Sequence, residues 1–317
     1  MKKRPLGNTG IDVSEIAFGG VEIGMPYGIG VAGREDMLSE KDAVHLLHAA
    51  QEQGINFFDT ARLYGESEAI MGKAFEHRRS EIVLATKCAH FRKGGKMLPD
   101  SETKPFILNS LQQSLEMLRT DYLDVFMLHQ ADAEILQNEV IAEVFSDLKQ
   151  KNIIKATGAS TYSTEETRLA IDSGNWDMIQ LPFNLMDQRQ GEFFKIASEN
   201  GVGLVIRSVL MKGLLSDRGK NLHPALADVE RHIQGYHALT GGQFPDLPTL
   251  ATQFALSFNE VSSVLVGIDK MEYLHKALAT ANGHYLDEPI MKEAKNLVYP
   301  NPEFLNLPHW DRMGWLK

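Results

Sequence analysis

The stretch FFDTARLYG, Phe57 to Gly65, decides how the rest of the chain is interpreted. An apolar run over residues 55–58 predicts a buried strand, and this strand stops at a carboxylate, Asp59. Tyr64 follows in the next loop. A rigid strand end can position an acid, and a phenol in the loop can reach a cleft at that edge, which is what a proton-transfer site needs. The same residues also suit plain turn chemistry, in which Asp59 caps the turn and Tyr64 packs on the following helix.

Composition narrows the class of protein. The 317-residue chain is 43% hydrophobic, as globular proteins are, and it has a net charge of −10 without a basic cluster. This acidic balance argues against nucleic acid or an anionic membrane as the main partner. The single cysteine, Cys88, suits a reducing cytosol. The sequence has no apolar segment of about 18 residues and no signal-like start, so it predicts a cytoplasmic protein that does not cross a membrane.

Short, nearly continuous apolar segments alternate with amphipathic segments along most of the chain. Such strands are typical of parallel sheets that are buried on both faces. Serines at the predicted helix starts, Ser39 and Ser163, precede acidic residues in the pattern of a capping box. Eight strands with helices between them predict a single α/β domain over residues 1–317, a (β/α)8 TIM barrel. The predicted strands are residues 15–20, 55–61, 81–87, 123–129, 154–160, 178–184, 203–208 and 261–267.

Four segments lie outside this alternation. Residues 4–13 predict an N-terminal β-hairpin with a turn at GNTG. A Gly-rich loop, Val21 to Leu38, follows the first strand, and an insertion, Asp217 to Asp246, follows the seventh. On a barrel both would lie on the face where sites form. The tail, residues 284–317, either folds over that face or forms a plain helix with aromatic anchors.

Two further predicted strands end at side chains that can take part in proton transfer. The third predicted strand ends at Lys87 and the fourth at His129. In a barrel these residues, Asp59 and Tyr64 would share one rim. A lysine that closes an apolar strand needs a partner, and Asp59 is the obvious one. We expect this pair to lower the pKa of the Tyr64 phenol, and His129 to act as a neutral hydrogen-bond donor. Each residue alone also has a structural interpretation, Lys87 at a barrel rim and His129 bonded to a carbonyl.

The order of motifs resembles the aldo-keto reductase family over nearly the whole chain. The motifs are LGNTG, FDTARLYG, ATK, YLDVFMLHQ, GAST, IQLPFN, RSVLMKGLL and SSVLVG. The resemblance implies a catalytic tetrad of Asp59, Tyr64, Lys87 and His129. In it Tyr64 is the general acid/base, His129 orients the carbonyl, and Lys87 with Asp59 tunes Tyr64. Hydride would come from a nicotinamide cofactor, so no metal is expected.

The resemblance also implies cofactor-binding residues, with departures from the family pattern. Gln180 and Ser160 match residues that hold the carboxamide, but Thr161 stands where an asparagine is usual. Arg207 stands where many members stack an aromatic ring, and its flat guanidinium could stack instead. The segment that wraps the pyrophosphate is matched by Ser208, Leu210, Gly213 and Leu214. The loop that holds the adenosine is matched by Gly267, Asp269 and Lys270.

The loop after the eighth strand bears on the choice between NAD and NADP. Asp269 disfavours a 2′-phosphate and could accept a hydrogen bond from a ribose hydroxyl. Lys270 favours the phosphate, and an asparagine found in many NADP-binding members is Ala277 here. The residues leave the choice open, and the family's habit favours NADP.

A rival interpretation is a Rossmann dehydrogenase, because residues 28–33 spell G-x-G-x-x-G and Asp59 follows at a suitable distance. That fingerprint requires its glycines directly after the first strand and at the start of a helix. Here residues 21–27 intervene and the helix begins near Ser39. The glycines are therefore interpreted as a flexible loop over the barrel mouth.

The sequence thus predicts an NAD(P)-dependent oxidoreductase of aldehydes, ketones or sugar carbonyls. Resemblance of GINFFDT and VSSVLVG to members that oxidise aldoses makes an NAD-dependent aldose dehydrogenase the alternative. A nucleotide-sensing regulatory subunit with slow turnover is a third hypothesis. Substrate, direction of the reaction and oligomeric state are left open.

Overall fold

The computed structural model describes residues 1–31 and 33–316. The strands are Lys3–Pro5 (β1), Asp12–Ser14 (β2), Ile16–Gly19 (β3), Phe57–Asp59 (β4), Val83–Cys88 (β5), Arg92–Lys93 (β6), Lys96–Met97 (β7), Leu123–Leu128 (β8), Ile154–Ser160 (β9), Met178–Pro182 (β10), Gly203–Arg207 (β11) and Val261–Gly267 (β12).

The helices lie mainly between these strands, and several are capped by side chains as the sequence predicts. Ser163 caps its helix in a capping box with Glu166. Ser39 accepts a bond from the amide of Asp42 at the start of another. The helices are Val21–Gly24 (α1), Glu40–Glu52 (α2), Ser67–Phe75 (α3), Asp100–Leu118 (α4), Ala133–Leu136 (α5), Glu139–Gln150 (α6), Thr164–Ser173 (α7), Phe194–Glu199 (α8), Ala227–Tyr236 (α9), Leu247–Leu256 (α10), Met271–Thr280 (α11), Glu288–Asn296 (α12) and Leu307–Arg312 (α13).

Eight strands of the described chain close into a parallel barrel. Their order is β3-β4-β5-β8-β9-β10-β11-β12, and β12 pairs with β3. This confirms the predicted (β/α)8 barrel. β4 is shorter than expected, since the amide of Ile55 donates to Ala50 O of the preceding helix and so belongs to the turn before the strand. Because every strand runs the same way, all carboxyl ends meet at one rim.

The barrel has an apolar interior and an apolar outer layer. Alternate strand residues point inward, as the period of two requires. These include Ala17, Phe57, Val125 and Val205, which form the inner cluster with the hairpin residues Leu6 and Val13. The other strand faces, such as Phe18 and Phe58, pack against the helices. This two-sided burial explains the continuous apolar strands in the sequence.

The N-terminal hairpin closes the amino end of the barrel. β1 and β2 pair antiparallel, as predicted. Buried Arg4 donates to Glu15 Oε1 at 2.8 Å and to backbone carbonyls of Leu256, Phe258 and Val261, each at 2.9 Å. The turn needs glycine at residue 7, because φ is +56° and a Cβ there would lie 2.3 Å from Gly201 O. The hairpin is therefore fixed at the end opposite the carboxyl rim.

The loop after the first barrel strand has more structure than predicted. It contains α1 and a 3-10 turn, Arg34–Asp36. Its glycines do not follow β3 directly, and although Gly33 precedes the 3-10 turn, the next α-helix begins only at Glu40. The loop therefore lacks the strand–glycine–helix arrangement that the Rossmann fingerprint requires. The amide of Ile29 donates to Lys212 O at 3.1 Å. The loop thus lies against the segment that follows β11.

The insertion and the tail pack on each other. The insertion contains α9, and the tail contains α12 and α13. Trp310 of the tail is fully buried, and Trp315 stacks on His223 with ring centroids 5.8 Å apart. Asp311 forms an ion pair with Lys212. The tail therefore combines both expectations, helices with aromatic anchors and contact with the carboxyl face. No helix in residues 1–31 or 33–316 is long and apolar enough to cross a membrane.

The Arg4 contacts lead to a stability prediction. We expect Arg4→Met to lower the free energy of unfolding by about 3–5 kcal/mol, because it leaves the buried Glu15 carboxylate without its cation. Chemical denaturation measures this loss. The double variant Arg4→Met/Glu15→Gln should lose clearly less. An Arg4→Met variant as stable as the parent chain would contradict the role of this pair.

Candidate active site

One cavity opens at the carboxyl rim of the barrel. It is bordered near the barrel axis by Tyr64, His129 and Gln180, and it extends to Tyr273 and Lys276 of α11. Its walls come from the ends of most barrel strands, the loop after β3 and the segment after β11. Residues far apart in the chain meet here because all strand ends share this rim.

A buried ion pair lies beneath the cavity. Lys87 Nζ donates to Asp59 Oδ2 at 2.5 Å and to Thr60 O at 2.9 Å, and both charged side chains are buried. Gln180 Nε2 donates to Asp59 Oδ1 at 2.9 Å. Both carboxylate oxygens therefore have donors, and the pairing of Lys87 with Asp59 is as the sequence analysis expected. Neither residue lines the cavity itself.

Tyr64 and His129 face the cavity above this pair. Lys87 Nζ lies 4.7 Å from the centroid of the Tyr64 ring. The Tyr64 and His129 rings meet edge to face, with centroids 5.3 Å apart. The four residues singled out from strand ends and the neighbouring loop are therefore brought together.

The pKa of Tyr64 differs from expectation. Burial of the phenol, and next the negative charge of Asp59, raise this pKa well above its usual value. The expected lowering by the Lys87–Asp59 pair is wrong for the cleft as it stands. The reason is that the Lys87 charge is compensated by Asp59 at hydrogen-bond distance, while the phenolate would lose its hydration. Tyr64 is thus a neutral phenol at neutral pH.

His129 is neutral, as expected. Burial, followed by the positive charge of Lys87, lowers its pKa to about 2. Its Nδ1 is buried without a hydrogen-bond partner. A second histidine that the sequence analysis missed, His90, has its ring centroid 5.0 Å from that of His129. The site therefore combines a neutral phenol with a neutral imidazole.

The cofactor residues inferred from the resemblance divide into two groups. Thr161, Leu214 and Lys270 do not line the cavity. Thr161 Oγ1 bonds to Thr167 Oγ1 at 2.7 Å, Leu214 is buried in the core, and Lys270 precedes α11. Those that do line the cavity are Ser160, Gln180, Arg207, Ser208, Leu210, Gly213, Gly267 and Asp269.

Arg207 is held by its neighbours. Its guanidinium carbon lies 4.2 Å from the ring centroid of Tyr162, and Nη2 donates to Thr161 O at 2.7 Å. The guanidinium therefore already stacks on an aromatic ring of the protein. Its Nε is buried without a partner.

Cationic groups missed by the sequence analysis lie at the far end of the cavity. Arg218, from the insertion, and Lys276, from α11, line it together with Asp269. Arg218 Nη2 lies 3.9 Å from Asp269 Oδ2, so the carboxylate that disfavours a phosphate is partly compensated. No local motif marks these residues, because they reach the cavity only when the insertion and α11 pack on the barrel.

Glu22 of α1 is another lining residue without a sequence signal. Its Oε2 is buried and has no hydrogen-bond partner. Its Oε1 occupies space beside Gly267, where a Cβ would lie only 2.0 Å away. Burial, opposed by a hydrogen bond to its own backbone and reinforced by Asp269 and Asp59, raises its pKa to about 8. Glu22 is therefore a neutral acid at neutral pH.

The cavity's residues fit a nicotinamide dinucleotide. Three buried polar atoms in its lining, on Glu22, His129 and Arg207, lack partners within the described protein. Such atoms are costly unless a ligand or water satisfies them. The cavity is also extended, from Tyr64 to the cations near α11, as a dinucleotide requires. In residues 1–31 and 33–316 no group of three or more His, Cys, Asp or Glu residues is arranged to hold a metal ion.

A (β/α)8 barrel with this phenol, histidine and ion pair at its mouth defines a class, the TIM-barrel oxidoreductases. The sequence profile of the aldo/keto reductase family matches residues 15–297, and the chain belongs to this family. Members of the family use nicotinamide cofactors and act on small carbonyl compounds.

Individual proteins similar to this chain align with it over nearly their whole length. The chain is 31% identical to an uncharacterized oxidoreductase of Bacillus subtilis, over 92% of this chain and 95% of that one. It is 28% identical to L-galactose dehydrogenase of Arabidopsis thaliana, over 94% and 97%. The holo form of an aldo-keto reductase from Bacillus halodurans superposes with a TM-score of 0.80 at 27% identity, covering 94% of this chain and 96% of that one.

The raised pKa of Glu22 leads to a prediction about stability. Between pH 4.5 and about 8 the unfolded chain loses this proton while the folded protein keeps it, so stability falls as pH rises. We expect Glu22→Gln to be a few kcal/mol more stable than the parent chain above about pH 8 and similar to it below about pH 4, since one pKa unit is about 1.4 kcal/mol.

Chemical denaturation at several pH values, without cofactor, measures this difference. Glu35→Gln, an exposed carboxyl in the same loop, is the matched control and should leave stability unchanged. A Glu22→Gln variant whose advantage does not grow with pH would contradict the burial of this carboxyl.

Proposed function

We propose that the protein transfers hydride reversibly between a nicotinamide cofactor and a small aldehyde, ketone or sugar carbonyl. The observation that supports this proposal most directly is that Tyr64 and His129 face one cavity above the buried Lys87–Asp59 pair. Bound nicotinamide would supply or accept the hydride. Gln180, Ser160, Arg207 and the residues 208–213 would hold the cofactor.

In this proposal Tyr64 is the general acid of reduction. As hydride reaches the carbonyl carbon, the phenol gives its proton to the carbonyl oxygen, and the products are an alcohol and the oxidised cofactor. A neutral His129 ring donates a hydrogen bond to the same oxygen and orients it. The Lys87 ammonium, 4.7 Å from the ring centroid, would be the cation beside the phenolate left behind, and its pairing with Asp59 keeps this stabilisation small.

The nucleotide preference is proposed to be NADP over NAD, with NAD the alternative. The cations Arg218 and Lys276 at the far end of the cavity support a nucleotide with a 2′-phosphate, which NADP has and NAD lacks. Asp269 favours NAD, but its pairing with Arg218 weakens that argument.

A second candidate is an NAD-dependent aldose dehydrogenase. The full-length similarity to L-galactose dehydrogenase favours it. Absorbance at 340 nm distinguishes the two when it is followed in both directions. Turnover chiefly of aldehydes with NADPH supports a carbonyl reductase, whereas turnover chiefly of free aldoses with NAD⁺ supports the dehydrogenase. A protein that binds cofactor but is silent in both directions would instead favour the nucleotide-sensing subunit.

Removal of the phenolic hydroxyl tests the proposed acid. We expect Tyr64→Phe to lower kcat by about 10²–10⁴-fold, the usual contribution of general acid–base catalysis, with cofactor affinity unchanged. Steady-state kinetics and fluorescence titration of the nucleotide measure the two quantities. Tyr122→Phe, outside the cavity, should retain full activity. If Tyr64→Phe turns over like the parent chain, the assignment of the acid is wrong.

The raised pKa of Tyr64 predicts different pH profiles for the two directions. Reduction uses the protonated phenol, so kcat should be flat across the neutral range. Oxidation needs the phenolate, so kcat should rise by up to about tenfold per pH unit into the alkaline range. Rates at saturating cofactor and substrate test this. An oxidation rate that is flat above neutral pH would show that another group accepts the proton.

A further inference from the structure

Glu22 lines the cavity between its two ends. β3 lies between β4 and β12 in the barrel, with Gly19 paired to both Asp59 and Gly267. Glu22 is the second residue of α1, which begins shortly after β3 ends at Gly19. It therefore lies between the tetrad at one side and the loop of Asp269 at the other.

This position corresponds to the middle of a bound dinucleotide. If hydride transfer takes place at Tyr64, the nicotinamide lies there, and the nucleotide must run toward α11, where the cavity ends. The segment between the two nucleosides is a diphosphate. An anionic diphosphate next to an ionised carboxylate would be strongly unfavourable in a buried cleft, whereas a neutral carboxyl group can donate a hydrogen bond to it.

The charged and titratable groups around Glu22 favour the neutral acid. The negative charges of Asp59 and Asp269 both act on it. Each of these carboxylates already has a cation of its own, Lys87 beside Asp59 at 2.5 Å and Arg218 beside Asp269 at 3.9 Å. Two nearby tyrosines, Tyr27 and Tyr64, are neutral phenols because burial raises the pKa of each. The titratable and charged groups that interact electrostatically with Glu22 are Asp59, Tyr64, Asp269, Arg218 and Tyr27.

We propose that Glu22 binds the dinucleotide as a neutral acid, donating its carboxyl proton in a hydrogen bond to the diphosphate, so that nucleotide binding requires Glu22 to be protonated. The inference rests on the proposed function for the presence of the dinucleotide. The unpartnered Oε2 is the atom that the ligand satisfies, and Gly267 leaves the space that the carboxyl occupies.

Binding without substrate tests the inference. The full chain is titrated with NADPH and with NADH from about pH 6.5 to about pH 9.5, with nicotinamide fluorescence as the readout. For the parent chain we expect Kd to be constant up to about pH 8 and then to rise about tenfold per pH unit. Glu22→Gln keeps an amide donor without the titration, so its Kd should stay close to the neutral value over the whole range. Glu35→Gln should follow the parent chain.

Calorimetry provides a second measurement that needs no variant. At about pH 8.5, in two buffers of different ionisation enthalpy, nucleotide binding should take up most of one proton from solution. The Glu22→Gln variant should take up none.

The outcomes separate the two proposals. A parent chain that binds nucleotide with the same Kd at all these pH values, or a Glu22→Gln variant with the parent's pH profile, overturns the role of Glu22 and leaves the proposed function standing. If an ionised Glu22 instead accepts a bond from a ribose hydroxyl, Kd should fall as pH rises toward about 8 and binding should release a proton, which also overturns the proposal. Failure of both nucleotides to bind at any pH overturns both proposals.

Discussion

The buried ion pair between Lys87 and Asp59 is the constraint on which the rim of the barrel depends. Two charges far from water are tolerated only when their hydrogen-bonding capacity is met, and here Thr60 O and the Gln180 amide complete it. These bonds fix the ends of β4, β5 and β10 relative to one another. They also fix Tyr64, whose ring lies over the ammonium. The geometry of the candidate site is therefore a consequence of neutralising one buried lysine.

The two ends of the barrel solve the same physical problem differently. At the amino end a hairpin covers the interior, and Arg4 meets Glu15 and three backbone carbonyls, so this buried charge is satisfied within the protein. At the carboxyl end Glu22, His129 and Arg207 each keep one buried atom without a partner. Unsatisfied buried groups cost stability, and a ligand can recover that cost. This asymmetry makes the carboxyl end the candidate binding site.

The electrostatics of the cleft vary along its length. Near the barrel axis burial keeps Tyr64 and His129 neutral, which suits proton donation and hydrogen bonding rather than charge recognition. In the middle Glu22 is a neutral acid, and toward α11 the side chains of Arg218 and Lys276 add positive charge. Burial is the first cause of each of these pKa shifts, so the chemistry of the cleft follows from how deeply each group is placed.

The sequence by itself determined the barrel, the approximate positions of its strands and four residues that meet at one rim. Strand burial and strand ends are local patterns: an apolar run shows where a strand lies, and Asp59, Lys87 and His129 stand where runs stop. Only the tertiary structure decided which other residues join them. Glu22, Arg218 and Lys276 enter the cavity through packing of separate segments, which no local pattern encodes. The direction of the Tyr64 pKa shift could not be predicted from the sequence either. It depends on the burial of the phenol, which outweighs the Lys87 charge because that charge is already neutralised by Asp59.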